Sequence, residues 1–559
     1  MKKFKRTLGV VLTVAMLVTM TACTKGGEKN TSTNPPADSK SQETEQEGEK
    51  TLDYTFGAGE TFHSNEPIKY SIMYSDHEAY PYQESWRLWS AISEKSNVSF
   101  DMVMSARTEY ENQKSLLINS GDAPYIIPKT YEEAQFIPSG QIVAISDWVQ
   151  YMPNYMKCVE EWGLEDDLQA KMQADGKYYV LPGLWESAGA GYSYIIRKDV
   201  FEKAGVDVEA LQADWTYEDF YEALKKVKES TGASYVWSDT SFGDSSLNIA
   251  ATVYGVTGGW GLANGLQFDH DKQEFYFADT SEEFKAYLTY FNKLVKDGIL
   301  DTETFTQDDE TARSKFYKGD TYVMNGNYQN LADNISKMQV DGELYMITQP
   351  GGPKGQLQIE TSRLENGIMI STNALEDLGE EGFIKMLRFV DWLWYSNEGQ
   401  TLCLWGVEGE TYTKDAQGNI VLNSDISYNG KNLDTATKQL NVDFGFAGGV
   451  FAYGGSTDLR LSKMTDGEKD FLNRILDTRE PRKLAPPIMG NADESEQMNL
   501  ISTPLMDYVD TMTLKFITGQ EDLQTGWDNY VAQCEVNGST RYTEMANEIF
   551  NNTKSLLGY

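Results

Sequence analysis

One almost wholly apolar run, Leu8 to Met20, limits this chain more than any other feature. Its 13 residues would rise only about 20 Å as a helix, short of the roughly 20 residues that a membrane-spanning helix requires. The run follows MKKFKR, which carries four positive charges, and ends in Thr21-Ala22-Cys23. That order is a bacterial export signal. No second apolar run approaches spanning length, so the rest of the chain has to build its cores in water from shorter stretches.

Small residues ending in a cysteine resemble a bacterial lipobox, with Met20 where leucine is usual. On that reading residues 1–22 are removed, and Cys23 is lipidated and becomes the mature N-terminus on the outer face of the cell membrane. An ordinary secretory signal with an incidental cysteine is the alternative. The tract TKGGEKNTSTNPPADSKSQETEQEGEK that follows has no aromatic residue and too little apolar surface to fold. Residues 23–60 therefore read as a disordered tether.

About 500 residues remain, enough for two lobes. The net charge of −37 grows by four when the leader is removed. Such a surface repels nucleic acid and anionic lipid. It also weakens capture of a polyanionic sugar unless cleft lysines or arginines reverse the field locally, so a neutral glycan is favoured; the alternative is that the charge serves only solubility. Besides Cys23 the cysteines are Cys158, Cys403 and Cys534. No short spacing links them, which excludes a disulfide scaffold and a zinc site and leaves open one bridge or three free thiols.

KYSIMYSD reads as a buried strand from Ile68 to Tyr74. YPYQESWRLWSAISEK follows with Trp86, Trp89 and Ile92 on one helical face, then NVSFDMVM alternates as a strand, so the three form a β-α-β unit. SYIIRKDVFEKAGV is a strand and then a helix, with Asp199 as its cap and a stop at Gly205. Thr216 and Asp219 form a capping-box pattern ahead of Tyr217, Phe220, Leu224 and Val227. Phe284, Tyr287, Leu288, Phe291, Leu294 and Val295 make a helical stripe closed by Gly298. EGFIKMLRFVDWLWYSNEG is apolar nearly all round, which predicts a helix buried on several sides. WGVEGETYTKDAQGNIVL predicts a hairpin with Gly418 in its turn. The last hundred residues are mainly helical, and the class is α/β.

Signatures of catalysis are missing. The three histidines, His63, His77 and His270, form no H-E-x-x-H pattern, and there is neither a G-x-S-x-G elbow nor a phosphate-binding loop. Glycoside hydrolysis needs only a pair of carboxylates, which 85 acidic residues do not exclude.

Seven strings, in this order, carry a resemblance over nearly the whole mature chain: NSGDAPYIIP (119–128), DGKYYVLPG (175–183), YIIRKDVFEKAGV (194–206), WTYEDF (215–220), YFNKLVKDGILD (290–301), KFYKGDTYVMNGNY (315–328) and WGVEGETYT (405–413). Together they resemble the extracellular solute-binding proteins of family 1, lipoprotein receptors of ABC carbohydrate importers. Tyr125 stands where the family commonly has Asp. No D-x-[DN]-x-[DN]-G calcium loop occurs, so no dedicated metal site and no cofactor are expected.

The resemblance implies a periplasmic-binding-protein-like fold, two α/β lobes around a ligand cleft that closes by a hinge. By segment order, 66–187 and 365–410 build the first lobe, and 188–364 and 411–559 the second. The implied function is capture of an oligosaccharide and delivery to permease subunits, by a monomer without catalysis. Sugars stack a flat face on aromatic rings and hydrogen-bond planar polar groups. The candidate contacts are therefore loop residues: Tyr74, Asp76, His77, Tyr80 and Tyr82 after the first strand, Trp185 and Glu186 at the first lobe crossing, Trp237 in YVWSD, Trp260 in GVTGGWG, and Asn325, Asn327 and Tyr328 in VMNGNY. Trp185 is the leading stacking platform. Alternatives are a peptide or other polar solute as ligand, a glycan-degrading enzyme, or a surface glycan adhesin.

Overall fold

The computed structural model describes residues 52–259, 264–451 and 453–559; Cys23 and Trp260 lie outside them. Parallel pairing of strand β1 (Ile68–Asp76) with β2 (Val98–Ala106) starts the fold, in register from Ile68↔Val98 to Asp76↔Ala106. Helix α1 (Arg87–Ser96) connects them and ends on Asn97 at φ 60°. It starts later than the amphipathic run. Pro81 disfavours helix for the residue before it, and Asp76 Oδ1 accepts from the Tyr82 amide at 2.7 Å, holding the intervening loop.

β3 (Ile126–Thr130), β4 (Leu181–Leu184) and β8 (Leu364–Ile370) complete a five-stranded sheet of order β2-β1-β3-β8-β4. β8 runs antiparallel to both neighbours, with register shifts around Asn366 and Ile368. A second sheet places β5 (Ser193–Arg197) between β6 (Val323–Gly326) and β7 (Leu344–Ile347), antiparallel throughout.

Each sheet has its own buried cluster. Around the three-stranded sheet, Tyr194 and Ile196 pack with residues of α2 (Tyr217–Thr231) and α3 (Glu282–Lys296). Both Thr216–Asp219 capping bonds form, and the stripe from Phe284 to Leu294 is buried as its period predicts. Asp199 is not the cap of the helix Lys198–Lys203. Its carboxylate instead accepts from Arg197 Nε and Nη2, at 3.0 Å each.

Around the five-stranded sheet the cluster centres on α5 (Thr372–Tyr395), in which every residue from Phe389 to Tyr395 is buried. Within that run Asp391 accepts from the amides of Asn154 and Tyr155 and from Asn154 Nδ2 at 2.7–3.0 Å, which satisfies free N–H groups at the start of helix Pro153–Trp162. Tyr412, Leu422, Ile426, Leu440, Phe446, Val450 and Leu459 share this cluster. Segment 412–459 therefore packs with the first sheet, although the sequence reading grouped it with the second lobe. It includes the expected hairpin, Tyr412–Lys414 against Ile420–Leu422, with Gly418 at φ 88°.

The chain ends in helices α8 (Ala492–Thr518), α9 (Leu523–Val536) and α10 (Ser539–Thr553), whose buried faces join the cluster around the second sheet. Cys158, Cys403 and Cys534 are free thiols. No helix among the described residues is long and apolar enough to cross a membrane.

Burial pushes the carboxyl groups of Asp239 and Asp391 up to about 6 and that of Asp279 up to about 7. An unfolded aspartate titrates near pH ~3.9. Between about pH 4 and 7 the native state therefore keeps protons that the unfolded chain has released, and these groups make stability fall as pH rises. The melting temperature is expected to be higher at pH 5.5 than at pH 8, with the difference reduced in Asp279→Asn. A melting temperature that climbs across this interval contradicts the assignment.

Candidate functional site

β1, β3 and β4 point their carboxyl ends the same way, and the amino end of β8 joins them. In open α/β sheets this edge is where ligands bind. Here the chain also passes between the two sheets: once between β4 and β5, once between β7 and β8, and a third time between α6 (Thr457–Lys463) and α7 (Asp466–Thr478). Leu459 of α6 packs with the first sheet's cluster, whereas Phe471 and Ile475 of α7 pack with Ile195, Met324 and Met346 of the second sheet.

A cavity of about 380 Å³ lies at these crossings. Trp185, Leu364, Glu365, Arg460 and Lys463 line it from the first sheet's side, and Asn327, Tyr328, Glu468 and Phe471 from the second. Trp185 Nε1 donates to Glu365 Oε2 at 2.8 Å. The Arg460 guanidinium stands 3.9 Å from the Trp185 ring centroid, and Lys463 Nζ stands 4.9 Å from it. The ring is 9% exposed, so part of its π-surface already carries a cation.

Burial lowers the Arg460 guanidinium to about 10 and depresses the Lys463 ammonium, while Glu365 opposes both shifts through space. Burial also raises Glu360, which lines the same cavity. Among the described residues, no carboxylate stands within 4 Å of Arg460 or Lys463. The cavity therefore presents separate donors and acceptors, which suits a ligand whose groups both donate and accept.

Of the residues expected from sequence, the structure brings Trp185, Asn327 and Tyr328 to the cavity. Asn327 also caps α4 (Tyr328–Lys337) through a reciprocal pair with Asn330, at 3.0 Å each way. Tyr328 is tilted against Phe471 at 6.2 Å. His77 stacks on Tyr80 at 4.2 Å in the loop after β1. Glu186 is exposed, and its carboxylate accepts from the Thr457 amide at 2.6 Å.

Others are structural. Tyr74 is buried edge-on against Tyr82 and Trp89, and Tyr82 also meets Trp86. Asp76 holds the loop as described above. Trp237 is fully buried between Tyr194 and Phe220. Asn325 is buried with its amide and Nδ2 both on Asp239, whose other oxygen accepts from Ser246. The sequence reading passed over Glu365, Arg460 and Lys463. TDLRLSK has the composition of any surface helix, and only its arrival beside Trp185 distinguishes it.

Residues 131–401 match the family model described as bacterial extracellular solute-binding protein. Lipoprotein LipO of Bacillus subtilis is 22% identical over 321 residues, 55% of this chain and 60% of that protein; the match thus spans less than two thirds of the relative's length. The structure is similar to alginate-binding protein AlgQ2 (TM-score 0.64, 17% identity, 87% of this chain and 99% of that one). It is also similar to an HMO-binding, ABC-transporter-associated solute-binding protein from Bifidobacterium longum infantis (0.65, 16%, 88% and 99%). A third likeness is to the S. pneumoniae ABC-transporter substrate-binding protein FusA in complex with kestose (0.60, 17%, 87% and 99%). At these identities the likenesses establish the fold.

The Asn325–Asp239 pair separates core from cleft. Asn325→Ala is expected to cost about 1–3 kcal/mol in denaturant melts, because it strips partners from a buried carboxylate, and to leave the ligand affinity of the folded protein unchanged. A selective loss of affinity without loss of stability contradicts the core assignment.

Proposed function

We propose, from the match of residues 131–401 to the bacterial extracellular solute-binding proteins, that the chain captures an oligosaccharide at the lobe crossings and delivers it, without catalysis, to the permease of an ABC importer. The observation that carries this reading is the cavity lined by both sides of the fold. A sugar hydroxyl both donates and accepts, and Glu360, Glu365, Glu468, Arg460 and Lys463 offer both kinds of partner without being consumed by mutual ion pairs. Tyr328 and the Trp185–Arg460 stack supply flat surfaces for ring faces. The solved relatives described as alginate-binding, HMO-binding and kestose-bound point to the same ligand class.

In the proposed mechanism the ligand bridges residues of both lobes and so favours the closed arrangement, by as much as it binds that arrangement better. Closure about the three crossings is then what the permease recognises. Lipidation at Cys23 keeps the receptor at the outer face of the membrane. The tether of this scheme stops short of residue 52, because Tyr54–Thr55 pairs with His63–Ser64 and Gly59 N donates to Asn154 Oδ1, so residues 52–60 belong to the fold and not to the tether expected over 23–60. The lobes in this scheme are 66–187 with 364–463, and 188–363 with 464–559.

Thermal melts of the chain from Thr24 onward, with panels of neutral and acidic oligosaccharides and with peptides, test the reading. A ligand at a hundredfold excess over Kd stabilises the native state by about 2.7 kcal/mol. A rise with one glycan class that is lost in Trp185→Ala is expected. A rise with peptides alone contradicts the carbohydrate assignment.

A further inference from the structure

Gly449 has no φ in the left-handed region, and a Cβ placed on it would meet no atom closer than 3.8 Å. Its three nearest neighbours are all polar: Tyr453 Oη at 3.8 Å, with Lys129 Nζ and Tyr80 Oη at 3.9 Å each. Three hydrogen-bonding groups from three separate segments thus converge on one open point. Lys129 comes from the end of β3, Tyr80 from the loop after β1, and Tyr453 packs beside β4, its Cβ 3.0 Å from the Cβ position of Gly183. This is the carboxyl edge of the first sheet. The groups at this point are not among those that line the cavity, but Glu365, which lines it and accepts from Trp185, acts on Tyr453 through space.

Tyr453 and Lys129 have capacity to spare, whereas the Tyr80 hydroxyl already meets the Gly449 backbone. Tyr453 is 7% exposed, and its hydroxyl leans toward Asn366 without a hydrogen bond of proper geometry. Lys129 has no carboxylate within 4 Å among the described residues. Neighbouring cations are already matched: Arg107 to Glu78 at 2.6 Å and Lys114 to Glu111 at 2.8 Å. Burial and repulsion from Arg107 hold the Lys129 ammonium below the ordinary lysine value. Lys129 also sits at φ 54°, a conformation that costs a non-glycine residue energy and that clusters at functional positions. In a chain with net charge −37, a half-buried lysine that has no ion-pair partner within 4 Å among the described residues and feels Glu111 only at a distance, held in strained backbone beside an open space, suits an anion from outside the protein.

We propose that Lys129, Tyr80 and Tyr453 form an anion subsite that holds the carboxylate of an acidic sugar unit in the bound oligosaccharide, with Gly449 kept bare to leave room for it. The inference rests on the oligosaccharide-receptor reading and specifies its ligand. It replaces the expectation of a neutral glycan, which followed from whole-chain charge, because local cations decide the field inside a cleft.

The test is calorimetric titration of the chain from Thr24 onward with oligogalacturonate, alginate-derived oligouronate, hyaluronan-derived oligosaccharide and sialyllactose, each beside its methyl-esterified form, and with neutral cello-, malto- and fructo-oligosaccharides. At least one acidic member is expected to bind about tenfold or more tighter than its ester. Lys129→Gln should bring that ratio to about one, and Lys129→Arg should retain most of it. Gly449→Ala, which the backbone accommodates, should weaken the acid form while ligand-free melting stays unchanged. Binding of neutral or esterified members with no acid preference, or a preference indifferent to Lys129→Gln, overturns the subsite and leaves the receptor standing. Binding of no glycan in either panel overturns both.

Discussion

Three passages of chain between two sheets have to meet at one place, and the contact that holds them there is Trp185. Its indole nitrogen reaches Glu365, at the end of the second passage, and its ring carries Arg460, from the helix that precedes the third. Arg460 closes the set by donating to Ser187 O at 2.9 Å. Backbone pairing reinforces the same junction. Gly455 N donates to Leu184 O at 2.8 Å and Glu186 N to Gly455 O at 3.2 Å. A side chain on Gly454, at φ 78°, would press to 2.5 Å from the Leu184 carbonyl, so only glycine admits so close an approach.

That junction also explains the cleft's charge. Residues that bind passages together are buried, and burial penalises an ionised group unless a partner compensates. Arg460 and Lys463 are both depressed by burial, and Glu365 answers them only at a distance. A ligand oxygen placed among them supplies compensation that the protein alone does not. In the proposed receptor, ligand binding and closure about the junction are one event, since the groups proposed to meet the ligand also join the passages.

Much of the fold was legible because its signals are local. The Thr216 cap, the stripe from Phe284, the hairpin turn at Gly418 and the all-round apolar helix ending at Tyr395 each lie within one segment. The cleft was less so, because its parts come from distant positions: Trp185 and Arg460 meet only in three dimensions. Loop aromatics reach the cavity where the loop faces the crossings, as at Trp185 and Tyr328. They misled where a loop doubles back into a core, as at Trp237, which is bridged to both Leu300 and Val323. Asn325 misled for a related reason: a polar residue near a strand end has the same composition whether it faces ligand or a buried aspartate.

Hydrogen exchange of the chain from Thr24 onward, with and without the oligosaccharide that raises its melting temperature most, tests the central claim directly. Slower exchange is expected at the three passages together, near residues 185–192, 348–363 and 453–466, with smaller changes in the helices after 492. Protection confined to one sheet's surface, or to the C-terminal helices, would contradict a receptor that holds its ligand at the junction and closes around it.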